Sequence, residues 1–395
     1  MENLLFLAQV ALLMVISPII ARIFRLPAPV VEILLGSCAV WLGFLHVDND
    51  VFKNLAKIGF FYLMFLAGLE IDIQKFLHYK DRFLKKAVLY FVCLYSISFG
   101  LYLIFSLSPV YIVAIPIVSL GMIMALINQH GKNHKWLELS LIIGVIGELI
   151  SIGALVIFDG AISHGLGWHF LKSILMLIVV FVSSYILYRL LQILFWWYPN
   201  LKRLIMPNDD TMHQSLRISM ALFFILIATM QWLEIDMVLG AFIAGIFISN
   251  FFSHKKELPH QLSTFGFGFL VPLFFIFVGT TLDLNLAFTH TILSHALWIV
   301  LAMVGSRLIS SFIAYYSYLG FKSTILFSLG DSMPLTFLVA IATIAVKNGA
   351  IGQDEYASFI VAALMEGIVI MTLIQILMYF FENSDAKKVH NPPSE

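Results

Sequence analysis

Charged residues make up only 12% of this 395-residue chain, about half the share usual in a soluble globular protein. That scarcity excludes an ordinary water-soluble domain. The charges present cancel, 23 basic against 23 acidic, so no basic surface is left to hold nucleic acid. Cysteine is nearly absent: Cys38 and Cys93 lie in separate apolar runs. They exclude a disulfide framework and a cysteine metal cluster, and read as small buried side chains. The twelve histidines show no metal-ligand spacing. With no nucleophile–base set and no phosphate loop, nothing points to an enzyme or calls for a cofactor.

What fills the chain is hydrocarbon. Hydrophobic residues account for 61% and mean hydropathy is +0.96. Apolar runs of about 20 residues, the length of a transmembrane helix, recur throughout. The expected fold is an all-α polytopic membrane protein with thirteen spans: 3–24, 28–46, 52–72, 84–107, 109–128, 137–159, 169–198, 213–234, 236–253, 263–283, 293–319, 322–346 and 355–381. The N-terminus, MENLLFLAQVALLMV, opens with an acid and lacks a basic leader, so it reads as an uncleaved first helix. Most lysines and arginines fall in the loops after the odd-numbered spans and in the tail. The opposite side offers only Lys53, Lys57, Lys172 and Lys347. This bias places the C-terminus in the cytoplasm and the N-terminus outside.

The spans contain an internal echo. FYLMFLAGLEID (61–72) in span 3 and LFFIFVGTTLD (273–283) in span 10 both close with glycine four residues before aspartate: Gly68 with Asp72, Gly279 with Asp283. VVEILLG (30–36) in span 2 is echoed by VLGAFIAG (238–245) in span 9. Glycine and aspartate are common at helix ends, so each match alone is weak. Together, seven spans apart and therefore oppositely oriented, they suggest inverted repeats, the plan of many secondary transporters.

Polar groups at membrane depth mark the candidate site. Glu148 stands near the middle of span 6, and Gly144, Gly147 and Ser151 share its helical face. A charge there costs on the order of 3 kcal/mol on insertion scales. Burial disfavours the charged form of a carboxyl group, while the oxygens also suit an alkali cation, so one carboxyl can hold proton or cation in competition. The bland alternative is a glutamate bonded to a neighbouring helix. Arg307 in span 11 keeps its charge. Either it pairs with Glu148, Asp331 or Glu366 and competes with the ion, or it caps carbonyls freed at a helix break. In span 12, Pro334 frees the carbonyl of Gly330, and Asp331, Ser332 and Thr336 cluster beside the break. Span 5, its repeat partner, has Pro116, Ser119 and Gly121, with a simple proline kink as the alternative. Glu32 reads as structural, and Lys57 as snorkelling outward.

VPLFFIFVGTTLDL (271–284), LAKIGFFYLMFLAGLEID (55–72) and VLGAFIAGIFIS (238–249) resemble motifs of the monovalent cation:proton antiporter-2 family, the Kef-like and NapA-like group of the sodium/hydrogen exchanger superfamily. The resemblance covers nearly the whole chain. It implies a homodimer, with helices 1–3 and 8–10 as dimer bundle, helices 4–6 and 11–13 as moving ion-binding core, helix 7 as linker, and helices 5 and 12 as a broken, crossing pair. Residues 1–382 would form this membrane domain and 383–395 a short cytoplasmic tail, without a Kef-type nucleotide-binding domain. Glu148 matches the acid that binds ion and proton, and Arg307 the basic residue of helix 11. Gly147 replaces the family's first acid or amide, and Ser119-Leu120-Gly121 keeps one hydroxyl where the family has several.

The expected function is exchange of a monovalent cation, Na+ or K+, for protons across the inner (plasma) membrane, by alternating access and electroneutrally. Glu148, Ser151, Ser119 and Asp331 would bind ion and proton, with Arg307 and Glu366 as opposing charges. The alternatives are a cation channel on the same scaffold, an organic-anion transporter of related inverted-repeat fold, and a non-transporting sensor.

Overall fold

The computed structural model describes residues 2–24, 26–45, 50–69, 81–119, 123, 126–127, 134–164, 213–233, 237–252 and 257–390, with scattered positions between 175 and 198. Asp72, Gly121 and most of span 7 lie outside the described residues. In chain order the elements are α1 (Glu2–Phe24), α2 (Ala28–Trp41), α3 (Asp50–Leu69), α4 (Asp81–Phe105), α5 (Val110–Ala114), α6 (Lys135–His164), α7 (Gln214–Trp232), α8 (Met237–Phe251), α9 (Glu257–Phe265), α10 (Val271–Thr281), α11 (Leu284–Ala287), α12 (His290–Gly330), α13 (Leu335–Lys347), α14 (Gln353–Met365) and α15 (Met371–His390). One π-helical turn, Gly266–Leu270, joins α9 to α10, and another, Glu366–Ile370, joins α14 to α15. All regular structure among the described residues is helical. Seven stretches there are long and apolar enough to cross a membrane: the chain is a multi-pass membrane protein.

In lipid both faces of a helix are apolar, so polarity and close fit do the sorting. α4 illustrates it. Val88, Val92, Phe99 and Leu103 point outward, while Ala87, Tyr90, Leu94 and Ser98 are buried. Both sets follow helical spacing, and the inward set brings the Tyr90 and Ser98 hydroxyls into the protein.

The helices pack in two groups. In one, α3 lies against α8 and α10, α2 against α10 and α1, and α7 against α8. Glycines set these contacts, and they do so twice. A Cβ on Gly36 would stand 2.2 Å from the Ile276 carbonyl oxygen, and one on Gly245 would stand 2.1 Å from that of Phe65. Likewise, a Cβ on Gly279 would meet the Ile33 oxygen at 2.1 Å, and one on Gly68 the Phe242 oxygen at 2.2 Å. Ile33, Phe65, Phe242 and Ile276 each lie three residues before one of the four glycines. The α2–α10 and α8–α3 crossings are therefore the same contact made twice in the same register. The contact pairs the same segments that the sequence echo paired.

In the second group, α12 packs against α4, α6, α14 and α15, and α13 against α14, α5 and α6. Spans 11 and 12 form one helical stretch, His290–Gly330, folded back at Gly320, whose φ of 73° and ψ of 176° suit glycine alone.

Several expectations are corrected. α2 stops at Trp41 instead of continuing to 46, because the chain turns at Gly43 with φ 71°. α15 runs to His390. Cys38 is exposed and Cys93 half-buried, not interior; in a lipid-facing surface a small apolar thiol has no need to turn inward. Lys57 does lie exposed, its Nζ 5.7 Å from the centre of the Phe61 ring. Glu32 is buried in the first group, accepting a hydrogen bond from Ser17 Oγ at 3.4 Å.

Candidate functional site

Two helices of the second group are interrupted. α5 ends at Ala114. Ile115 and Pro116 form a turn, Ile117–Ser119 is irregular, and residue 123 is helical. α12 ends at Gly330, and α13 begins at Leu335 with Pro334 at its cap. Each break contains the proline identified in the sequence. Proline lacks the N–H that would continue the ladder, so nearby carbonyls need other donors.

Arg307 supplies them. Its side chain is 0% exposed. Nε donates to the Asp331 carbonyl at 2.8 Å. Nη1 donates to Ile115 O at 2.8 Å and to Met303 O at 3.0 Å, and Nη2 donates to Ile117 O. One planar guanidinium thus ties the break in span 5 to the break in span 12. Of its two sequence readings, the geometry displays the capping of freed carbonyls. Glu366 makes no hydrogen bond to it: neither carboxyl oxygen of that fully buried residue has a hydrogen-bond partner. Glu366 opens the π-helical turn of span 13, and Gly367 beside it abuts Val30 of α2 and Leu335 of α13.

Glu148 lies on α6 with 2% of its surface exposed, facing protein and not lipid. The broken segment of span 5 rests against this face. Val118 N–H donates to Ser151 Oγ at 3.1 Å. A Cβ on Gly147 would stand 2.7 Å from Val118 Cβ and 3.1 Å from Phe91 Cζ. The missing side chain at 147 is therefore what admits the irregular segment to the glutamate's helix. On its far side that segment meets span 12: Ser119 Oγ and Thr336 Oγ1 share a hydrogen bond of 2.8 Å. Ser151 and Ser119, both expected as ion ligands, act in this conformation as struts that hold the crossing together.

Asp331 divides its duties. Its carbonyl accepts from Arg307 Nε, while its Oδ2 accepts a hydrogen bond from Tyr90 OH at 3.1 Å. Tyr90, fully buried in α4, was missed in the sequence, where one tyrosine in an apolar run carries no signal. Ser140, whose Oγ lies 3.6 Å from where a Cβ on Gly330 would stand, was missed because one serine in an apolar run is equally silent. Ser98 Oγ, also unforeseen, reaches Tyr111 O and Ile112 O at 3.0 and 3.2 Å and anchors α5 to α4. No cluster of three or more potential metal-ligating side chains of His, Cys, Asp or Glu occurs among the described residues. The site is thus a buried carboxyl beside two broken helices with a fixed cation between them.

The sequence profile described as "Sodium/hydrogen exchanger, transmembrane" matches residues 10–379. YjbQ of Bacillus subtilis is 27% identical over 92% of this chain, which spans 61% of that protein's length. "Probable Na(+)/H(+) antiporter 3" of Methanocaldococcus jannaschii is 26% identical over 94% of this chain and 96% of its own. The solved structure of the sodium proton antiporter MjNhaP1, from the same organism, superposes with a TM-score of 0.66 at 15% identity, over 96% of this chain and 97% of that one. That likeness shows the fold.

Proposed function

This chain belongs to the sodium/hydrogen exchanger family, and we propose that it exchanges a monovalent cation, Na+ or K+, for protons across the plasma membrane. The relatives named as Na+/H+ antiporters support the reaction class. The observation that carries the reading is Glu148, buried where an irregular backbone segment docks on its helix. Such a segment brings carbonyl oxygens to membrane depth, which lipid tolerates only inside protein or beside a water-filled path.

In this reading Glu148 holds a cation as carboxylate and a proton as carboxylic acid, one displacing the other. With glycine at 147, one carboxyl trades one cation for one proton, so the exchange is electroneutral. Arg307 fixes the crossing and supplies a permanent positive charge that keeps a second cation out. The two packing groups support a division of labour, the glycine-packed group as dimer scaffold and the broken-helix group as the moving core of alternating access. The motif likeness to the Kef-like group belongs with this proposal, as do the homodimer and the cytoplasmic C-terminus.

The test uses purified protein in liposomes, with proton flux followed against each alkali cation in turn. Glu148→Gln is near-isosteric and neutral, so it spares the cost of burying a charge. It should abolish cation-coupled proton movement while the protein stays folded. Glu148→Asp should retain part of the exchange. Full exchange by Glu148→Gln overturns the assignment, and exchange that responds to an imposed membrane potential overturns electroneutrality.

A further inference from the structure

Asp331 occupies a pocket of polar groups that the crossing does not use. Its Oδ2 is bonded to Tyr90 OH, while Oδ1 has no hydrogen-bond partner. Ser140 Oγ approaches this carboxyl without making a bond of full hydrogen-bonding geometry. Tyr315 OH, on α12, is buried and has no hydrogen-bond partner, and its ring packs 5.8 Å from that of Tyr90. Asp331, Ser140, Tyr90 and Tyr315 are each at least nine-tenths buried. Buried polar atoms in folded proteins are almost always bonded, so unbonded ones gathered at one carboxyl call for a function.

Position separates this group from Glu148. Ser140 and Glu148 lie on the same helix, eight residues apart, so Ser140 is about 12 Å nearer the start of α6 at a rise of 1.5 Å per residue. Tyr90 lies in the first half of α4, and Tyr315 is five residues before the fold-back at Gly320. The start of α4 and the fold-back share one membrane face, for Lys86 of α4 donates to Ser317 Oγ across it at 3.2 Å, and Ser140 Oγ and Trp136 of the α6 start lie 3.6 and 3.2 Å from where a Cβ on Gly330 would stand, ten residues along the helix that leaves this face. Asp331 therefore stands between that face and the buried glutamate.

The chemistry around it selects a proton over a cation. The charged neighbour is Arg307, whose Nε is bound to the carbonyl of Asp331 itself. A bare alkali cation would meet that positive charge, whereas a protonated carboxyl is neutral. The other facing groups are the hydroxyls of Tyr90 and Tyr315, the Ser140 hydroxyl, and the indole of Trp136, which stands 3.2 Å from where a Cβ on Gly330 would be. Hydroxyls both donate and accept, as a proton path requires.

We propose that Asp331 is a proton station distinct from the cation site, passing protons between the membrane face where α4 and α6 begin and Glu148. The proposal rests on the reading of Glu148 as carrier. Asp331 alternates between carboxylate and carboxylic acid: Oδ1 takes a proton arriving past the Ser140 hydroxyl from the membrane face, and the neutral acid then gives it up toward the Glu148 carboxylate, each proton gained by one group being lost by the other. No heavy-atom bond and no electron changes hands.

The experiment compares Asp331→Asn with the parent in two measurements, cation affinity at equilibrium and exchange rate across a pH series. The rate should fall by about a hundredfold, the scale of losing a positioned proton carrier, and the pH profile should lose one limb, while cation affinity stays within about twofold. Asp331→Glu should recover part of the rate. Affinity that falls in step with the rate would make Asp331 a cation ligand and overturn the proposal, as would an unchanged pH profile. If Asp331→Asn aggregates, Ser140→Ala and Tyr90→Phe replace it: each should shift the pH profile at constant affinity, and no shift overturns the proposal. Glu148→Gln runs in parallel. Full exchange by that variant defeats the carrier reading, whereas its loss beside a normal profile in Asp331→Asn defeats only the proton station.

Discussion

The two helix groups solve opposite problems. In the first, the α2–α10 and α3–α8 contacts bring backbone against backbone, with Gly36, Gly68, Gly245 and Gly279 each lying under a carbonyl. In the second, α5 and α12 stop in the middle of their spans, and side chains take over from the ladder: Arg307, Ser119, Thr336 and Ser151. Close glycine packing yields a contact with one arrangement, since no side chain stands between the helices to adjust. Packing through a few long or small polar side chains leaves bonds that can be exchanged without refolding a helix. The difference is the physical basis for the proposed division into scaffold and core.

The comparison breaks most severely at the glycines. Gly279→Leu places a side chain where the Ile33 carbonyl stands, and backbone has no rotamer to yield. Loss of stability should exceed about 4 kcal/mol, the range reserved for core overpacking with no relief. Thermal unfolding in detergent reads it, as yield of monodisperse protein. Gly305→Ala, where a Cβ meets nothing within 4 Å, is the control and should be neutral or mildly stabilising.

Arg307→Gln tests the second group. It removes the donors for the Ile115, Ile117 and Asp331 carbonyls, at about 1–3 kcal/mol for each buried group left unbonded. Thermal unfolding should show a clear drop, with exchange abolished. Retained exchange would mean that the guanidinium is not what holds the crossing.

Gly147→Ala is a smaller wedge. Its Cβ would press on Val118, and strain of this kind costs about 1–3 kcal/mol. Val118→Ala in the same chain should relieve it, so the double variant should exchange faster than Gly147→Ala alone. Parallel loss in both would show that the irregular segment does not seat on residue 147. Least disruptive is Ser119→Ala, which removes one hydrogen bond to Thr336 worth about 0.5–1.5 kcal/mol. It should lower the melting temperature by a few degrees at most. Because it loosens the crossing only, exchange should persist; complete loss would instead make the Ser119 oxygen a ligand of the cation.

Much of this was legible beforehand because its causes are local. Apolar runs long enough to span a bilayer announce themselves, and prolines at 116 and 334 interrupt a helix wherever it packs. Glu148 and Arg307 stood out since few charges occur at that depth. Arg307's choice between carboxylates and carbonyls was not legible, because it depends on which atoms two distant breaks present to it. Asp331 was grouped with Glu148 from its place beside Pro334; that its Oδ2 accepts from Tyr90 was not legible, because it depends on α12 packing on α4. Tyr90 and Ser140 were invisible, because a hydroxyl in an apolar run becomes informative only with its neighbours in place.

By itself, the sequence determined that this protein lives in a membrane, is built of helices, breaks two of them, and repeats its glycine motif. Each follows from composition or from covalent limits such as proline's missing N–H, which act at any position in space. Only the tertiary structure decided that the two glycine echoes are one contact made twice, that a single guanidinium holds both breaks, and that Gly147 admits Val118 to the helix of Glu148. Those are meetings of residues up to 246 positions apart, Ile33 with Gly279, and the distances that settle them exist only once the chain has folded.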